Sequence, residues 1–196
     1  MKYFSQLKAA LFLASLYPLL RLLWFAYSNQ LGANPIEFIT RSLGTWTLVF
    51  LLITLSITPL RKLSGWSWLI KLRRMTGLFA FFYALLHFIT YIWLDQFFDL
   101  GDIYKDVIKR PFITIGFAAF VLLIPLAITS TNAMMKKLGG KRWQLLHRLI
   151  YLIAIFAVLH YWWLVKKDIT QPLIYAAVLA VLLGYRLWAS RTKNVI

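Results

Sequence analysis

Residues 143–165 read WQLLHRLIYLIAIFAVLHYWWLV, an apolar run with a single Arg, two His and no acidic residue. At about 1.5 Å per residue, a helix of this length crosses a hydrocarbon core of about 30 Å. His147 and His160 lie inside it, one near each end. An ionisable ring at membrane depth is costly and marks a place where something binds it or hydrogen-bonds to it. The segment therefore points to a membrane helix and to a site at once.

Five further blocks of comparable length extend the pattern, at about 8–28, 38–58, 73–94, 111–129 and 172–190. The whole chain of 196 residues is 61% hydrophobic, with mean hydropathy +0.71. A soluble domain of this size does not carry such blocks uninterrupted. The expectation is an all-α polytopic membrane protein, a six-helix transmembrane bundle forming one domain over 1–196. No separate soluble domain fits in what is left. Lys2 and Lys8 open the first block and no small-residue cleavage site follows it, so it reads as a retained helix.

The chain has no cysteine. Disulfides, cysteine-ligated iron–sulfur clusters and covalent Cys-x-x-Cys-His haem attachment are thereby excluded. The net charge of +16 is distributed by loop rather than gathered on one face. With six alternating spans, Lys2, Lys8, Arg61, Lys62, Lys71, Arg73, Arg74, Lys136, Lys137, Lys141, Arg142, Arg148, Arg186, Arg191 and Lys193 fall on or near one side. Only Arg41, Lys105, Lys109, Arg110, Lys166 and Lys167 fall near the other, together with Glu37, Asp95, Asp99, Asp102, Asp106 and Asp168. The positive-inside bias places both termini in the cytoplasm. The basic residues read as orientation signals and as attraction to the lipid bilayer, not as a nucleic-acid face. The acidic outer segment Asp95–Arg110 is a candidate docking loop for a partner, or an ordinary solvated connection.

The third histidine, His87, lies eight residues before Asp95, and His160 lies six before Lys166. Both belong to the outer leaflet at matched depth. They are the natural axial pair for one haem iron, low-spin and held without covalent attachment. His147 marks a second, inner position. Fourteen residues before His87 on the same span stands Arg73, within about 40° of the same helix face. A second haem there would have one imidazole and a poor partner, since guanidinium stays protonated; a propionate contact suits Arg73 better. His147 beside Arg148 also reads as an interfacial hydrogen-bonding residue. On an ideal helix His147 and His160 point about 140° apart, which requires altered winding or two different faces. Zinc fits less well, because no intramembrane Cys, Asp or Glu completes a ligand set. Arg21 lies about 20 Å along the first span from Lys8, at an insertion cost of roughly 2.5–3.5 kcal/mol were it central. It either snorkels outward past Trp24 or meets a haem propionate. Arg148, Arg41 and Arg142 are further propionate candidates. The site residues expected are thus His87, His147 and His160 as metal ligands, with Arg73, Arg21 and Arg148 around the cofactor.

Several segments together carry a family resemblance. They are Arg73-Arg74-Met75-Thr76-Gly77-Leu78 leading to His87, Thr129-Ser130-Thr131-Asn132-Ala133-Met134, Lys141-Arg142-Trp143-Gln144-Leu145-Leu146-His147 with His160-Tyr161, and Gln171-Pro172-Leu173-Ile174-Tyr175. Over nearly its whole length the chain resembles the MsrQ family, formerly YedZ: haem-binding membrane subunits of the bacterial periplasmic methionine-sulfoxide reductase system. That family is in turn similar to the transmembrane core of ferric reductases and NADPH oxidases, whose four-histidine pattern is reduced here to three. The resemblance implies b-type haem, one or two per chain. It implies electrons from quinol and the quinone pool, or from a cytoplasmic flavin reductase, because this chain has no fused flavin and nucleotide domain. It implies a periplasmic molybdopterin-containing partner that reduces methionine sulfoxide, and a place in the bacterial inner membrane. FMN is also implied, but no phosphate-cradling Gly-rich loop locates it. The expected role is an electron-transfer subunit without a catalytic site of its own. The alternatives are a cytochrome b subunit of another dehydrogenase or metal reductase, or a transporter or scaffold with structural histidines.

Overall fold

The computed structural model describes residues 3–165 and 167–191. Lys2, Lys166 and Lys193, three of the orientation-marking lysines, lie outside the described residues. Among the described residues nine α-helices occur and no strand: α1 Phe4–Tyr27, α2 Pro35–Ser64, α3 Arg73–Thr90, α4 Leu100–Lys109, α5 Pro111–Ile128, α6 Asn132–Leu138, α7 Gly140–His147, α8 Leu149–Leu164 and α9 Thr170–Arg191. Six spans are long and apolar enough to cross a membrane: α1, α2, α3 with its flanking turns, α5, α7 with α8, and α9. The chain is a multi-pass helical membrane protein. Alternating spans put the 28–34, 91–110 and 165–169 connections at one end of the bundle. The 65–72 and 129–139 connections lie at the other.

The termini of the central helix are set by local chemistry. Pro35 opens α2, where the missing N–H costs nothing, and the Asn34 side chain accepts from the Glu37 N–H at 3.2 Å. Gly65, at φ 74°, closes it in the left-handed conformation that a side chain resists. Asp99 caps α4 by accepting from the N–H groups of Gly101 and Asp102. Asp168 accepts from the Thr170 N–H at the start of α9, and its hydrogen bonds from Thr170 hold its carboxyl below the ordinary value.

Two apolar clusters hold the bundle. In the larger, α2, α3, α5 and α8 meet around Leu51, Phe79, Ala80, Tyr83, Leu123 and Ile153. Tyr83 is fully buried, lies parallel to Phe50 with ring centroids 5.4 Å apart, and donates its hydroxyl to Ser15 O at 2.7 Å. That bond ties α1 to α3 and pairs a hydroxyl that burial would otherwise leave bare. The second cluster joins α2, α8 and α9 through Leu48, Leu52, Leu55, Ala154, Val158 and Leu179. Much of the outer surface is apolar: Leu13, Leu23 and Val181 are more than half exposed. In water such a surface would aggregate; in lipid it is ordinary.

Three local features depart from the sequence reading. The 95–110 connection, read as a loop, contains the amphipathic helix α4. The 130–142 connection contains α6, and its glycine turn is the single positive φ of 76° at Gly139. The fifth span is interrupted at Arg148. Its N–H is shared between Gln144 O and Leu145 O, and its own carbonyl accepts from Tyr151 three residues on. A tightened turn of this kind advances the chain by about 120° per residue instead of 100°, which works to close the angle between His147 and His160.

Candidate functional site

His87 on α3 and His160 on α8 come together with ring centroids 6.2 Å apart and planes at 74°. Each is held by the backbone of a neighbouring helix. His87 Nδ1–H donates to Thr40 O of α2 at 2.8 Å, and His160 Nδ1–H donates to Phe112 O of α5 at 2.7 Å. A carbonyl only accepts, so the proton sits on Nδ1 in both neutral rings and each Nε2 keeps its lone pair.

The two seats share one design. One turn beyond each accepting carbonyl stands a glycine, Gly44 after Thr40 and Gly116 after Phe112. A Cβ on Gly44 would lie 3.1 Å from His87 Cε1, and one on Gly116 would lie 2.6 Å from His160 Nδ1. At Gly116 a Cβ would force the ring to shift, and at Gly44 it would crowd the ring by a few tenths of an ångström. The sequence reading missed both glycines and both carbonyls. The available signal was a glycine in the middle of an apolar span, where it weakens the helix by about 1 kcal/mol unless close approach requires it.

The third histidine belongs to a different environment. A cavity of about 760 Å³ is lined by Arg73, Arg74, Arg148 and Arg186 together with His147 and Tyr151, and no Asp or Glu lines it. Arg73 and His147 are thus brought to one site, as their spacing suggested. His147, however, is held by side chains. Its Nε2 lies 3.0 Å from Thr129 Oγ1, and its ring stacks on Trp143 at 3.9 Å. The Thr129 hydroxyl proton is committed to Pro125 O at 2.6 Å, so the oxygen accepts from Nε2–H. The nitrogen left free in the other two histidines is hydrogen-bonded to a side chain in this one.

Arg186, read from sequence only as an orientation marker, is central here. It donates to Tyr151 Oη at 3.1 Å and to Leu55 O at 2.5 Å, while its Nε and the nearby Thr58 hydroxyl are buried without partners. Four guanidiniums with no lining carboxylate leave the cavity electropositive, suited to the anionic part of a ligand. Between the two ends runs a column of rings. Phe81, on the cavity wall, lies 6.2 Å from Phe120 with planes at 2°, and Phe120 lies 4.4 Å from Phe88, the neighbour of His87.

Arg21 joins neither group. Its guanidinium lies 5.1 Å from the Phe25 ring centroid, on the exposed face of α1. Of the two readings of Arg21, this placement agrees with snorkelling along its own helix. Arg41 is paired with Glu37 at 2.6 Å, and Arg142 is exposed and does not line the cavity.

A membrane bundle presenting facing imidazoles from two spans defines a class. Residues 42–158 match the family described as the ferric reductase like transmembrane component, a stretch that contains His87 and His147 and stops two residues before His160. Relatives named protein-methionine-sulfoxide reductase heme-binding subunit MsrQ cover almost the whole chain. The one from Herminiimonas arsenicoxydans is 63% identical, over 96% of this chain and 88% of the relative. Those from Azospira oryzae and Ralstonia nicotianae are 58% and 54% identical, over 93% and 95% of this chain and 78% and 87% of the relatives. The chain belongs to the MsrQ family, within the ferric reductase-like class.

Proposed function

We propose that the chain is the b-type cytochrome subunit of a methionine-sulfoxide reductase system, in which His87 and His160 would hold the haem. The observation that carries this reading is the pair of imidazoles brought within 6.2 Å of each other, each with its Nδ1 bonded to a carbonyl and its Nε2 left unprotonated. Among the described residues no three of His, Asp and Glu gather as a metal site. Zinc usually takes four ligands, three or four of them from the protein. Two imidazoles alone suit an iron whose remaining positions come from a macrocycle. The two rings, with centroids 6.2 Å apart, would hold such a group between them.

When bound, haem supplies one-electron redox chemistry, tuned by its ligands and by burial. The protein's part is orientation. Thr40 O and Phe112 O fix the tautomer and direction of each imidazole, as hydrogen bonds to the distal nitrogen do at metal sites generally. Gly44 and Gly116 permit that approach. His147, with Nε2 committed to Thr129, is a cavity residue rather than a ligand, which favours one haem per chain.

The basic end would face the cytoplasm and the acidic end the periplasm of a bacterial inner membrane, a sidedness supported by the positive-inside bias. Electrons would enter at the arginine-lined cavity, from quinol or from a cytoplasmic flavin reductase. Arg73, Arg148 and Arg186 would hold the anionic groups of the occupant, whether haem propionates, FMN or the donor itself. Electrons would leave at the histidine pair toward a periplasmic molybdopterin-containing subunit that reduces protein methionine sulfoxide.

The test is the absorption spectrum and haem stoichiometry of the purified chain. The expected result is a sharp dithionite-reduced α-band with one haem per chain. A folded but colourless preparation overturns the reading. Two haems, with one lost in His147→Ala, would return His147 to the ligand set.

A further inference from the structure

Helix α4 lies at the histidine-pair end and divides its surface three ways. At about 100° per residue, Ile103, Asp106 and Val107 share one face, and all three are half-buried toward the bundle. Asp106 locks that face: its carboxylate accepts from Gln96 at 3.0 Å and Tyr91 at 3.5 Å, and meets Arg110 at 3.4 Å. The rotation of the helix about its axis is thereby set. On one flank it leaves Leu100, Tyr104 and Ile108, with exposures of 79%, 68% and 60%. On the other flank it leaves Asp102, Lys105 and Lys109 in the open, with Lys105 and Asp102 paired at 2.9 Å.

The apolar flank is continuous with the apolar surface of two membrane-length spans. Ile108 borders a shallow groove whose other walls are Pro111, Thr114, Ile115, Ala118 and Phe156 of the spans α5 and α8. Just before α4, Phe97 and Phe98 adopt φ of 46° and 60° and are 77% and 61% exposed. Two successive bulky residues in the left-handed region carry strain. Here that conformation turns both rings outward instead of into the bundle.

We propose that α4 is an interfacial helix. Its Leu100–Tyr104–Ile108 flank, with Phe97 and Phe98, inserts into the bilayer surface at the histidine-pair end. The three sides then have three solvents: protein for Ile103 and Val107, lipid for the apolar flank, water for the charged flank. An amphipathic helix carrying Leu and Phe on one side and Lys on the other binds an interface in this way. Its four charges cancel, two Asp against two Lys, so it offers little net field to steer a charged partner. The segment read from sequence as a docking loop is thus assigned to the membrane, and it seats the connection between the two spans that carry His87 and Gly116.

The absence of native cysteine makes the test clean. Single variants Leu100→Cys, Tyr104→Cys, Ile108→Cys, Asp102→Cys and Lys105→Cys of the full chain are labelled with bimane in nanodiscs. Each is then quenched by doxyl-lipid and by aqueous iodide. The expected result is at least threefold stronger lipid quenching at the three apolar sites, with the order reversed at Asp102 and Lys105. Iodide access at all five sites overturns the proposal. So does an apolar flank that is open to iodide in the chain alone and closes only when a partner protein is added. A lipid-soluble diazirine on the unaltered chain checks the same point without substitution: tagging of Tyr104 and Ile108 supports insertion, and tagging confined to the spans refutes it.

Discussion

The two ends of this bundle hold imidazoles in opposite ways. At one end His87 and His160 are seated by backbone carbonyls, across glycines, with Nε2 free. At the other, His147 is held by a threonine hydroxyl and a tryptophan face, with Nε2 engaged. Backbone seats are rigid because they belong to helices; a hydroxyl rotates. On the proposed function, a pair that must keep one geometry through repeated reduction and oxidation is best fixed by main chain. A cavity residue beside a changing occupant is better held by side chains. The guanidiniums follow the same division, gathered at the cavity and absent from the pair.

That contrast predicts how the two ends fail. The largest effect belongs to the proposed ligands: His87→Ala and His160→Ala should each lose more than nine-tenths of the low-spin α-band, whereas His147→Ala should keep more than half. Equal losses in all three, read from reduced spectra at matched protein concentration, would erase the distinction. Next come the seats. Gly116→Ala forces a Cβ to 2.6 Å from the ring and should lower haem content several-fold, while Gly44→Ala, at 3.1 Å, should lower it less than twofold. A reversed order, measured by pyridine haemochrome, would show that the seats do not govern the pair.

Thr129→Val sharpens the comparison at the other end. It leaves the His147 and Trp143 side chains in place but removes the acceptor for Nε2–H, at a cost of about 1–3 kcal/mol for an unpaired donor. Thermal unfolding in detergent should move down by a few degrees while the α-band stays unchanged. The smallest effect should come from Arg21→Gln. Since Arg21 lies over Phe25 of its own helix and does not line the cavity, haem content should match that of the unsubstituted chain, and stability should change by no more than about 0.5 kcal/mol. A clear loss of haem would restore it to the site.

Much of this was legible in the residues. Apolar blocks of about 20 residues have one stable form in a bilayer, so the six spans followed from composition and length. The depth match of His87 and His160 followed from helical rise alone, and so did the sharing of one site by Arg73 and His147. The interruption at Arg148 was anticipated only as a misfit of angle. Gly44, Gly116, Thr129 and Arg186 were not read as site residues, because each acts through a residue 18 or more positions away that no local period reveals. The same holds for α4, whose flanks acquire meaning only once Asp106 fixes its rotation.

By itself, then, the sequence determined that this chain is a helical membrane protein with three intramembrane imidazoles and a charge gradient along its axis. Hydrophobic burial and helical rise are local and additive enough to compute from residue order. Only the tertiary structure decided which imidazole nitrogen is free. That depends on which neighbouring helix offers a carbonyl, and on whether the residue one turn further on has a side chain to stand in the way.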